Sequence, residues 1–433
     1  MKRSTNGNGN YVFGGLDTVM LAKEYGTPLY VVSEDIIKEK CEEIRDNFFL
    51  KYENVKAAYA SKAFLNHAMC KIIEREGLCL DVVSGGELYT AITAGFPMGK
   101  IFFHGNNKSR AELELAISND VGRIVVDNLY ELELINDIGN RMNKKPGVLY
   151  RITPGVESDT HKYVITGQKD SKFGIPLVDN IIFEAIKLGM EYENVELLGF
   201  HFHVGSQIFD NSSHIMATKK AMDLIKQAKD KLGFITKELN TGGGYGIYYA
   251  EGDSPKPICY FTCAIIETVS EKCEEFNLDM PTIIIEPGRW IIGEAGITLY
   301  TIGSIKEIPG IRTYAAIDGG MPDNPRPALY GSKYEAVVAN KANEEVKETV
   351  TISGKCCESG DILIWDLKVP KIQSGDVLAV LSTGAYNYSM ANNYNKVTRP
   401  AVVLVNEGYA EVIVERETYE DLISRYHIPE YLK

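Results

Sequence analysis

The chain has 433 residues, of which 45% are hydrophobic and 24% are charged, a composition that is ordinary for a folded globular protein. It excludes a chain that is mainly disordered, collagen-like or of low complexity. Lys and Arg number 46 against 59 Asp and Glu, so the formal net charge is −13, which argues against nucleic acid as the main partner because phosphate backbones bind basic surfaces.

Eight short β-branched and apolar runs recur along the first two-thirds of the chain, each followed by a segment with helical periodicity. Strands that alternate with helices predict parallel βαβ units, and eight such units predict a (β/α)8 barrel of the TIM type. The runs cover residues 56–62, 80–84, 101–105, 123–128, 147–154, 196–205, 238–244 and 282–289.

Helical periodicity ends after Arg289, and β-rich segments with turn residues between them take its place. They predict a mixed or antiparallel β domain, which residues 29–32 could join as a further strand. We therefore expect an α/β protein with two domains: a barrel over residues 30–287, and a β-rich domain made of residues 1–29 with 288–433. The β-rich segments are residues 297–302, 313–317, 335–338, 349–352, 377–381, 401–405 and 410–414.

Signals for membranes, secretion and metals are weak. No apolar run approaches the roughly 18 residues that a membrane helix needs, and no apolar segment follows the basic residues Lys2 and Arg3. The eight cysteines contain no CxxC pair, so we expect no disulfide scaffold and no structural zinc. These features predict a reduced, cytoplasmic protein.

Polar clusters fall at the ends of four predicted barrel strands, at Lys62, His203, Gly242–Gly244 and Glu286–Arg289. In barrel enzymes the carboxyl ends of the strands form the active face, so we expect these clusters to meet there.

Each cluster allows a structural and a functional interpretation. Lys62 is either a solvated strand end or an amine that forms a Schiff base. The glycines 242–244 form either a tight turn or a backbone that approaches a phosphate closely. Glu286 and Arg289 form either a buried ion pair, or separate sites for a cationic ring nitrogen and an anion.

Two further motifs leave alternatives open. The pair His201 and His203 is a metal motif in barrel hydrolases, but His203 with Ser206 also suits a ring face beside a phosphate. Cys356 and Cys357 are either half-buried apolar residues or include a thiol that donates a proton.

Taken in order, these motifs resemble those of the diaminopimelate decarboxylase family, in the alanine-racemase-like group of pyridoxal phosphate enzymes. The resemblance spans roughly residues 27–390. The motifs that carry it are YASKA, HFHVGSQ, TGGGYG, EPGR, DGGM, RPALY, CCESGD, GAY and NYN.

The resemblance implies that Lys62 and Cys357 are the catalytic residues, with Lys62 bound covalently to pyridoxal 5'-phosphate and Cys357 as the proton donor. It implies that His203 stacks on the pyridine ring and that Glu286 pairs with the ring nitrogen. The implied cofactor-binding residues are Lys62, His203, Ser206, Gly243, Gly244, Glu286, Pro287, Gly288, Arg289 and Tyr386. The implied substrate-binding residues are Arg289, Arg326, Tyr330, Glu358 and Tyr386.

The implied reaction is the decarboxylation of meso-2,6-diaminopimelate to L-lysine and CO2, the last step of lysine biosynthesis. Arg326 suits the distal carboxylate of that substrate, and Glu358 suits its distal amine. The resemblance also implies a homodimer in which Cys357 enters the active site of the other subunit. Three alternatives stay open: another basic amino-acid or carboxynorspermidine decarboxylase of this fold, a non-catalytic regulatory relative, and a metal-dependent barrel hydrolase.

Overall fold

The computed structural model describes residues 4–156 and 170–433. The chain folds into two compact units, whose boundaries differ from those predicted after residues 29 and 287. Among the residues that the structure describes, no helix combines the length and apolar character needed to cross a membrane. One unit comprises Met1–Ile37, Tyr248–Gly252 and Ile292–Lys433, and the other comprises Lys38–Ile247 and Asp253–Ile291.

The chain starts with a small antiparallel sheet and a helix that the sequence analysis did not predict. The helix begins where the Asp17 side chain accepts hydrogen bonds from the backbone N–H groups of Val19 and Met20, a typical N-cap. The elements are β1 (Ser4–Thr5), β2 (Tyr11–Phe13), β3 (Leu16–Asp17), α1 (Thr18–Tyr25), β4 (Leu29–Ser33) and α2 (Glu34–Ile44).

Strands and helices then alternate. Four of the helices start at a Ser or Asn whose side chain accepts the backbone N–H three residues on, which satisfies one of the free donors of the first turn. The strands are β5 (Val55–Ala60), β6 (Cys79–Val82), β7 (Ile101–Phe103), β8 (Arg123–Val126), β9 (Gly147–Thr153), β10 (Ile175–Pro176), β11 (Glu196–His201), β12 (Glu238–Gly243) and β13 (Thr282–Glu286). The helices are α3 (His67–Arg75), α4 (Gly85–Thr93), α5 (Arg110–Ser118), α6 (Leu129–Met142), α7 (Asp179–Glu191), α8 (Ser212–Leu232) and α9 (Ile258–Phe276).

Eight of these strands close into a parallel barrel. The order is β5, β6, β7, β8, β9, β11, β12 and β13, and β13 pairs again with β5. β10 pairs with β9 outside this closed circuit. The predicted TIM-type barrel is confirmed, and each of the eight predicted runs overlaps one of its strands.

The middle of the barrel is a contiguous apolar cluster to which seven of the eight strands contribute. On the amino-terminal side of this cluster, the buried carboxylate of Glu238 binds Lys56 at 3.0 Å and binds Arg123 through two hydrogen bonds. A charged layer therefore closes one end of the barrel, and the apolar layer separates it from the other end. The apolar layer comprises Ala58, Cys79, Phe102, Val125, Leu149, Leu198 and Ile284.

The unit that comprises Met1–Ile37, Tyr248–Gly252 and Ile292–Lys433 is a mixed β domain, as the sequence predicted. β4 joins its sheet, since it pairs in antiparallel fashion with β14 and in parallel fashion with β20. The sheet order is β18, β17, β15, β14, β4, β20 and β21, and β19 pairs with both β14 and β16. The remaining elements are α10 (Arg289–Ile292), β14 (Gly296–Ile308), β15 (Arg312–Ile317), α11 (Arg326–Tyr330), β16 (Ala336–Val338), β17 (Glu348–Ser353), β18 (Ile362–Val369), β19 (Val377–Val380), β20 (Ala401–Asn406), β21 (Tyr409–Val414) and α12 (Tyr419–Ile423).

Candidate active site

The barrel carries a polar layer at the carboxyl ends of its strands, on the far side of the apolar layer. Side chains two residues apart on a strand point to the same face. Five members of the polar layer therefore follow directly from the apolar residue two positions before them, namely Asp81, His104, Asp127, Arg151 and Glu286. Paired strands place its members side by side, for example His201 beside both Arg151 and Asn240. The polar members are Asp81, His104, Asp127, Arg151, His201, Asn240 and Glu286.

Glu286 is the centre of this layer, with a relative exposure of only 8%. Its Oε1 accepts a hydrogen bond from Asn240 Nδ2 at 2.7 Å and lies 2.9 Å from His104 Nε2. Its Oε2 lies 3.3 Å from His201 Nε2. Burial alone would raise the pKa of Glu286, but His104 and His201 hold that pKa well below its ordinary value. The site therefore contains a buried and ionised carboxylate.

The neighbours of Glu286 have shifted pKa values of their own. Burial lowers the pKa of His201 to about 3, so its imidazole is neutral. Its Nε2–H group donates a hydrogen bond to Glu286. Burial also raises the pKa of Asp81 to about 6, although nearby His104 acts in the opposite direction. Glu286 is thus ionised beside a second buried carboxyl group, that of Asp81, which keeps its proton only below about pH 6.

The glycine loop packs against the residues that follow β11. Gly242 and Gly244 have φ values of +69° and +97°, which side chains rarely adopt, and a Cβ on Gly244 would lie 2.1 Å from the Gly205 carbonyl oxygen. The backbone N–H of Gly243 donates to His203 Nδ1 at 3.3 Å, so that nitrogen carries no proton. Burial, together with the charge of Lys62, lowers the pKa of His203 well below its ordinary value, and its ring is neutral.

A cation and a hydroxyl group lie next to this loop. Arg289 begins α10, directly after the turn Pro287-Gly288, and its Nη2 donates to Ser206 Oγ at 3.0 Å. Gly288 approaches β5 closely, because a Cβ there would lie 2.8 Å from the Ala60 Cβ. A buried guanidinium beside a hydroxyl and glycine N–H groups is a typical donor set for a phosphate.

Lys62 lies in a single helical turn, Ser61–Ala63, that follows β5. Ser61 and Ala63 are buried while Lys62 is exposed. The turn is fixed on both sides, since Ser61 Oγ donates to Glu87 at 2.6 Å and the Tyr59 hydroxyl donates to the Phe64 carbonyl at 2.8 Å. A rigid turn thus presents this amine at the polar end of the barrel.

Three predicted substrate residues meet within the β domain. The guanidinium carbon of Arg326 lies 5.5 Å from the ring centre of Tyr386 and 5.6 Å from that of Tyr330, and its Nε donates to the Tyr334 hydroxyl at 2.9 Å. The side chain is only 8% exposed. Cation–π contacts on a buried guanidinium hold its fork in one orientation.

The two adjacent cysteines differ in environment. Cys356 is half-buried, and burial together with Asp361 raises its pKa to about 12, whereas Cys357 is exposed like Glu358 after it. Asp361 fixes the turn by accepting the backbone N–H groups of Met321 at 2.7 Å and Cys356 at 2.9 Å. The accessible thiol of this pair is therefore that of Cys357.

Sequence reasoning missed several polar neighbours of the predicted residues, above all Asp81, His104, Arg151 and Asn240. A signal existed for His104 and Arg151, because each lies two residues beyond an apolar position of a predicted strand, Phe102 and Leu149, at the end that faces the site. Asp81 and Asn240 had no such signal, because the residues two positions before them are Cys79, outside the predicted run, and Glu238. His201 was considered only with His203, yet it contacts Glu286 and lies beside Asn240.

Comparison with known proteins decides the family. The family model for the pyridoxal binding domain of pyridoxal-dependent decarboxylases matches residues 34–293. The diaminopimelate decarboxylase of Bacillus subtilis (strain 168) is 51% identical over 418 residues, which are 96% of this chain and 95% of the relative. That of Bacillus methanolicus is 52% identical over 412 residues, 95% of each chain. The chain belongs to the diaminopimelate decarboxylase family. A crystal structure of diaminopimelate decarboxylase from M. jannaschii in co-complex with L-lysine is 37% identical, with a TM-score of 0.92 over 100% of this chain and 99% of that one.

Membership in the diaminopimelate decarboxylases confirms the resemblance drawn from the sequence motifs and makes the chain an enzyme of that family. It decides against a regulatory relative and against a metal-dependent hydrolase. The histidine pair behind the hydrolase hypothesis separates in the structure: His201 contacts Glu286, whereas His203 contacts the glycine loop. Side-chain atoms of His104, His201 and Glu286 do lie within 4.8 Å of one another.

Proposed function

We propose that this chain converts meso-2,6-diaminopimelate to L-lysine and CO2 with pyridoxal 5'-phosphate bound at the polar end of the barrel. The observation that carries the proposal is the buried, ionised carboxylate of Glu286. A negative charge at that depth is costly unless a cation faces it, and a protonated pyridine nitrogen is such a cation.

The residues of the barrel fit the cofactor in their chemistry. Arg289, Ser206 and the N–H group of Gly244 suit the phosphate, together with the turn Pro287-Gly288. Gly243 belongs to the same loop, and its N–H donates to His203. Lys62 offers the amine that binds the aldehyde carbon, and the neutral ring of His203 offers a flat face for the pyridine. When bound, pyridoxal phosphate supplies the electron sink that accepts the electrons left behind by CO2.

Protein residues supply the protons and the orientation. Glu286 keeps the ring nitrogen protonated, because its low pKa leaves it ionised across the physiological range. Cys357 returns a proton to the carbon that has lost CO2. Its thiol and the carboxylate of Glu358 are exposed on this chain, which suits residues that complete the active site of a second copy. We therefore propose a homodimer whose sites each take Lys62 from one subunit and Cys357 from the other.

Substrate selection follows from the end of the substrate that does not react. Arg326 binds the distal carboxylate through its fork, with Tyr330 and Tyr386 beside it, and Glu358 binds the distal amine. Ornithine, arginine and lysine lack that carboxylate. A buried guanidinium without its anion is disfavoured, so these substrates bind poorly.

The function is tested by CO2 release from meso-diaminopimelate, ornithine, arginine and lysine at equal concentrations. We expect turnover of diaminopimelate to exceed the others by about a hundredfold or more, the discrimination typical of a site that leaves a buried polar group unpaired. Comparable turnover of ornithine would instead assign the chain to the decarboxylases of polyamine synthesis that share this fold.

A second experiment tests the assignment of Lys62. Borohydride reduction of the protein loaded with pyridoxal phosphate should leave the pyridoxyl group on Lys62, and a label on another lysine would overturn that assignment. The cytoplasmic location stays a prediction.

A further inference from the structure

The side chain of Asn240 connects the two parts of the candidate cofactor site in the barrel. Asn240 lies on β12, with a relative exposure of 0%. Its Nδ2 donates to Glu286 Oε1 at 2.7 Å, and its Oδ1 accepts the backbone N–H of Gly242 at 3.0 Å. One amide therefore contacts both the carboxylate expected at the ring nitrogen and the first glycine of the loop expected at the phosphate.

These two contacts fix the amide in one orientation. If its oxygen and nitrogen were exchanged, an acceptor would face the ionised carboxylate and a donor would face an N–H group, so both hydrogen bonds would be lost. The connection continues along the chain, because the next N–H, that of Gly243, donates to His203 Nδ1. Glu286, the glycine loop and the His203 ring thus belong to one hydrogen-bonded unit with Asn240 in its middle.

We infer that Asn240 is a positioning residue, whose amide sets the orientation of Glu286 and the path of the glycine loop together. The inference rests on the proposed function, since it assigns Glu286 and the loop to the same cofactor. The inference predicts that the two effects are coupled. A change at Asn240 alters both the protonation of the ring nitrogen and the binding of the phosphate, although Asn240 itself contacts neither group.

The alternative is that Asn240 only fills the barrel and satisfies buried polar groups. A structural role predicts lower stability without a change in how the cofactor is bound. Two readouts that do not depend on turnover separate the alternatives. One is the affinity of the cofactor-free protein for pyridoxal phosphate, from a titration of visible absorbance. The other is the 15N resonance of the ring nitrogen in bound, 15N-labelled pyridoxal phosphate, which reports its protonation.

Two variants at Asn240 test its two hydrogen bonds, the first by removing both and the second by changing mainly the one to Glu286. Asn240→Leu keeps the approximate volume but removes both hydrogen bonds, so we expect a loss of affinity on the order of tenfold to a hundredfold and a 15N shift toward the unprotonated value. Asn240→Asp keeps an acceptor for the Gly242 N–H but places a second carboxyl group against Glu286. Two carboxyl groups this close share a proton, which reduces the charge that faces the ring. We expect this variant to shift the 15N resonance with a smaller loss of affinity.

Thr241→Val is the matched control. Thr241 is the next residue on β12, it is also fully buried, and its Oγ1 donates to the Ile284 carbonyl at 3.1 Å. This variant loses one buried hydrogen bond outside the unit, so it should lower the melting temperature and leave affinity and the 15N resonance as in the wild type. If Asn240→Asp folds and both readouts match the wild type, the inference is wrong, even where Asn240→Leu does not fold. A wild-type chain that fails to bind pyridoxal phosphate would instead refute the proposed function.

Discussion

The His201 imidazole and the Glu286 carboxylate lie 3.3 Å apart in the barrel, the first neutral and the second ionised. Desolvation disfavours the charged form of both groups. The imidazole is neutral, whereas the carboxylate stays ionised because it accepts hydrogen bonds from more than one donor. His201 therefore acts as a neutral donor that holds Glu286 in its charged form.

Replacement of His201 tests this relationship. His201→Phe keeps an aromatic ring but removes the hydrogen-bond donor. The kcat/KM for decarboxylation should therefore fall about tenfold to a hundredfold, which corresponds to the free energy of a typical hydrogen bond to a charged group. His201→Gln can still donate to Oε2 and should retain most of the activity. Steady-state kinetics of both variants check the prediction, and equal impairment of the two would show that the donor is not what matters.

Asp81 is expected to make stability depend on pH. Its carboxyl group keeps a proton up to a pKa of about 6 in the folded chain, whereas the ordinary value is 3.8. The folded chain thus binds more protons than the unfolded chain between these values, and stability falls as the pH rises through that window. Asp81→Asn removes the titration, so it should be more stable than the wild type above pH 6, on the order of 2 to 3 kcal/mol, and similar near pH 4.

Urea unfolding of both chains from pH 4 to pH 8 measures this difference. The control is Asp137→Asn, because Asp137 is exposed and its pKa is lowered by Arg110 and Arg141 rather than raised by burial. A stability difference for Asp81→Asn that does not change with pH would contradict the assigned titration.

Arg326 is expected to select the substrate. Arg326→Lys keeps the charge but loses the planar fork and its contacts with Tyr330 and Tyr386. The kcat/KM for diaminopimelate should fall about a hundredfold or more, since unpairing a buried charged group costs on the order of 2 to 5 kcal/mol. Arg312→Lys is a control on the same domain, because that arginine contacts Trp365 and Asp366. An equal loss in both variants would argue for a general effect on the domain.

The fold was easier to predict than the site. Barrel strands that are buried on both faces appear in the sequence as largely apolar runs, and all eight barrel strands were predicted from such runs. β18 was missed, because it lies at the edge of its sheet and Asp366, with a φ of +53°, interrupts its alternation. The network around Glu286 was missed for a different reason. Asn240 is one of three polar residues in β12, with Glu238 and Thr241, and only the closed barrel places it against a carboxylate 46 positions later in the sequence.

The proposed sharing of sites between subunits gives the sharpest prediction, because it can be tested with two inactive variants. Lys62→Ala and Cys357→Ala should each be nearly inactive alone. In a mixed dimer with shared sites, one site collects both lesions and the other collects none. With random exchange half of the dimers are mixed, and each has one intact site of two, so CO2 release should recover to about a quarter of the wild-type rate.

A reciprocal mixture supplies the control. The double variant Lys62→Ala/Cys357→Ala is mixed with an equal amount of wild type, which gives half of the full activity before subunits exchange. With shared sites every mixed dimer has one lesion in each site, so the activity should fall from a half to about a quarter as exchange proceeds. If Cys357 acts within its own subunit, each mixed dimer keeps one intact site, the activity stays at a half, and the two single variants never complement each other. Opposite changes in the two mixtures can arise only when each site draws on both chains.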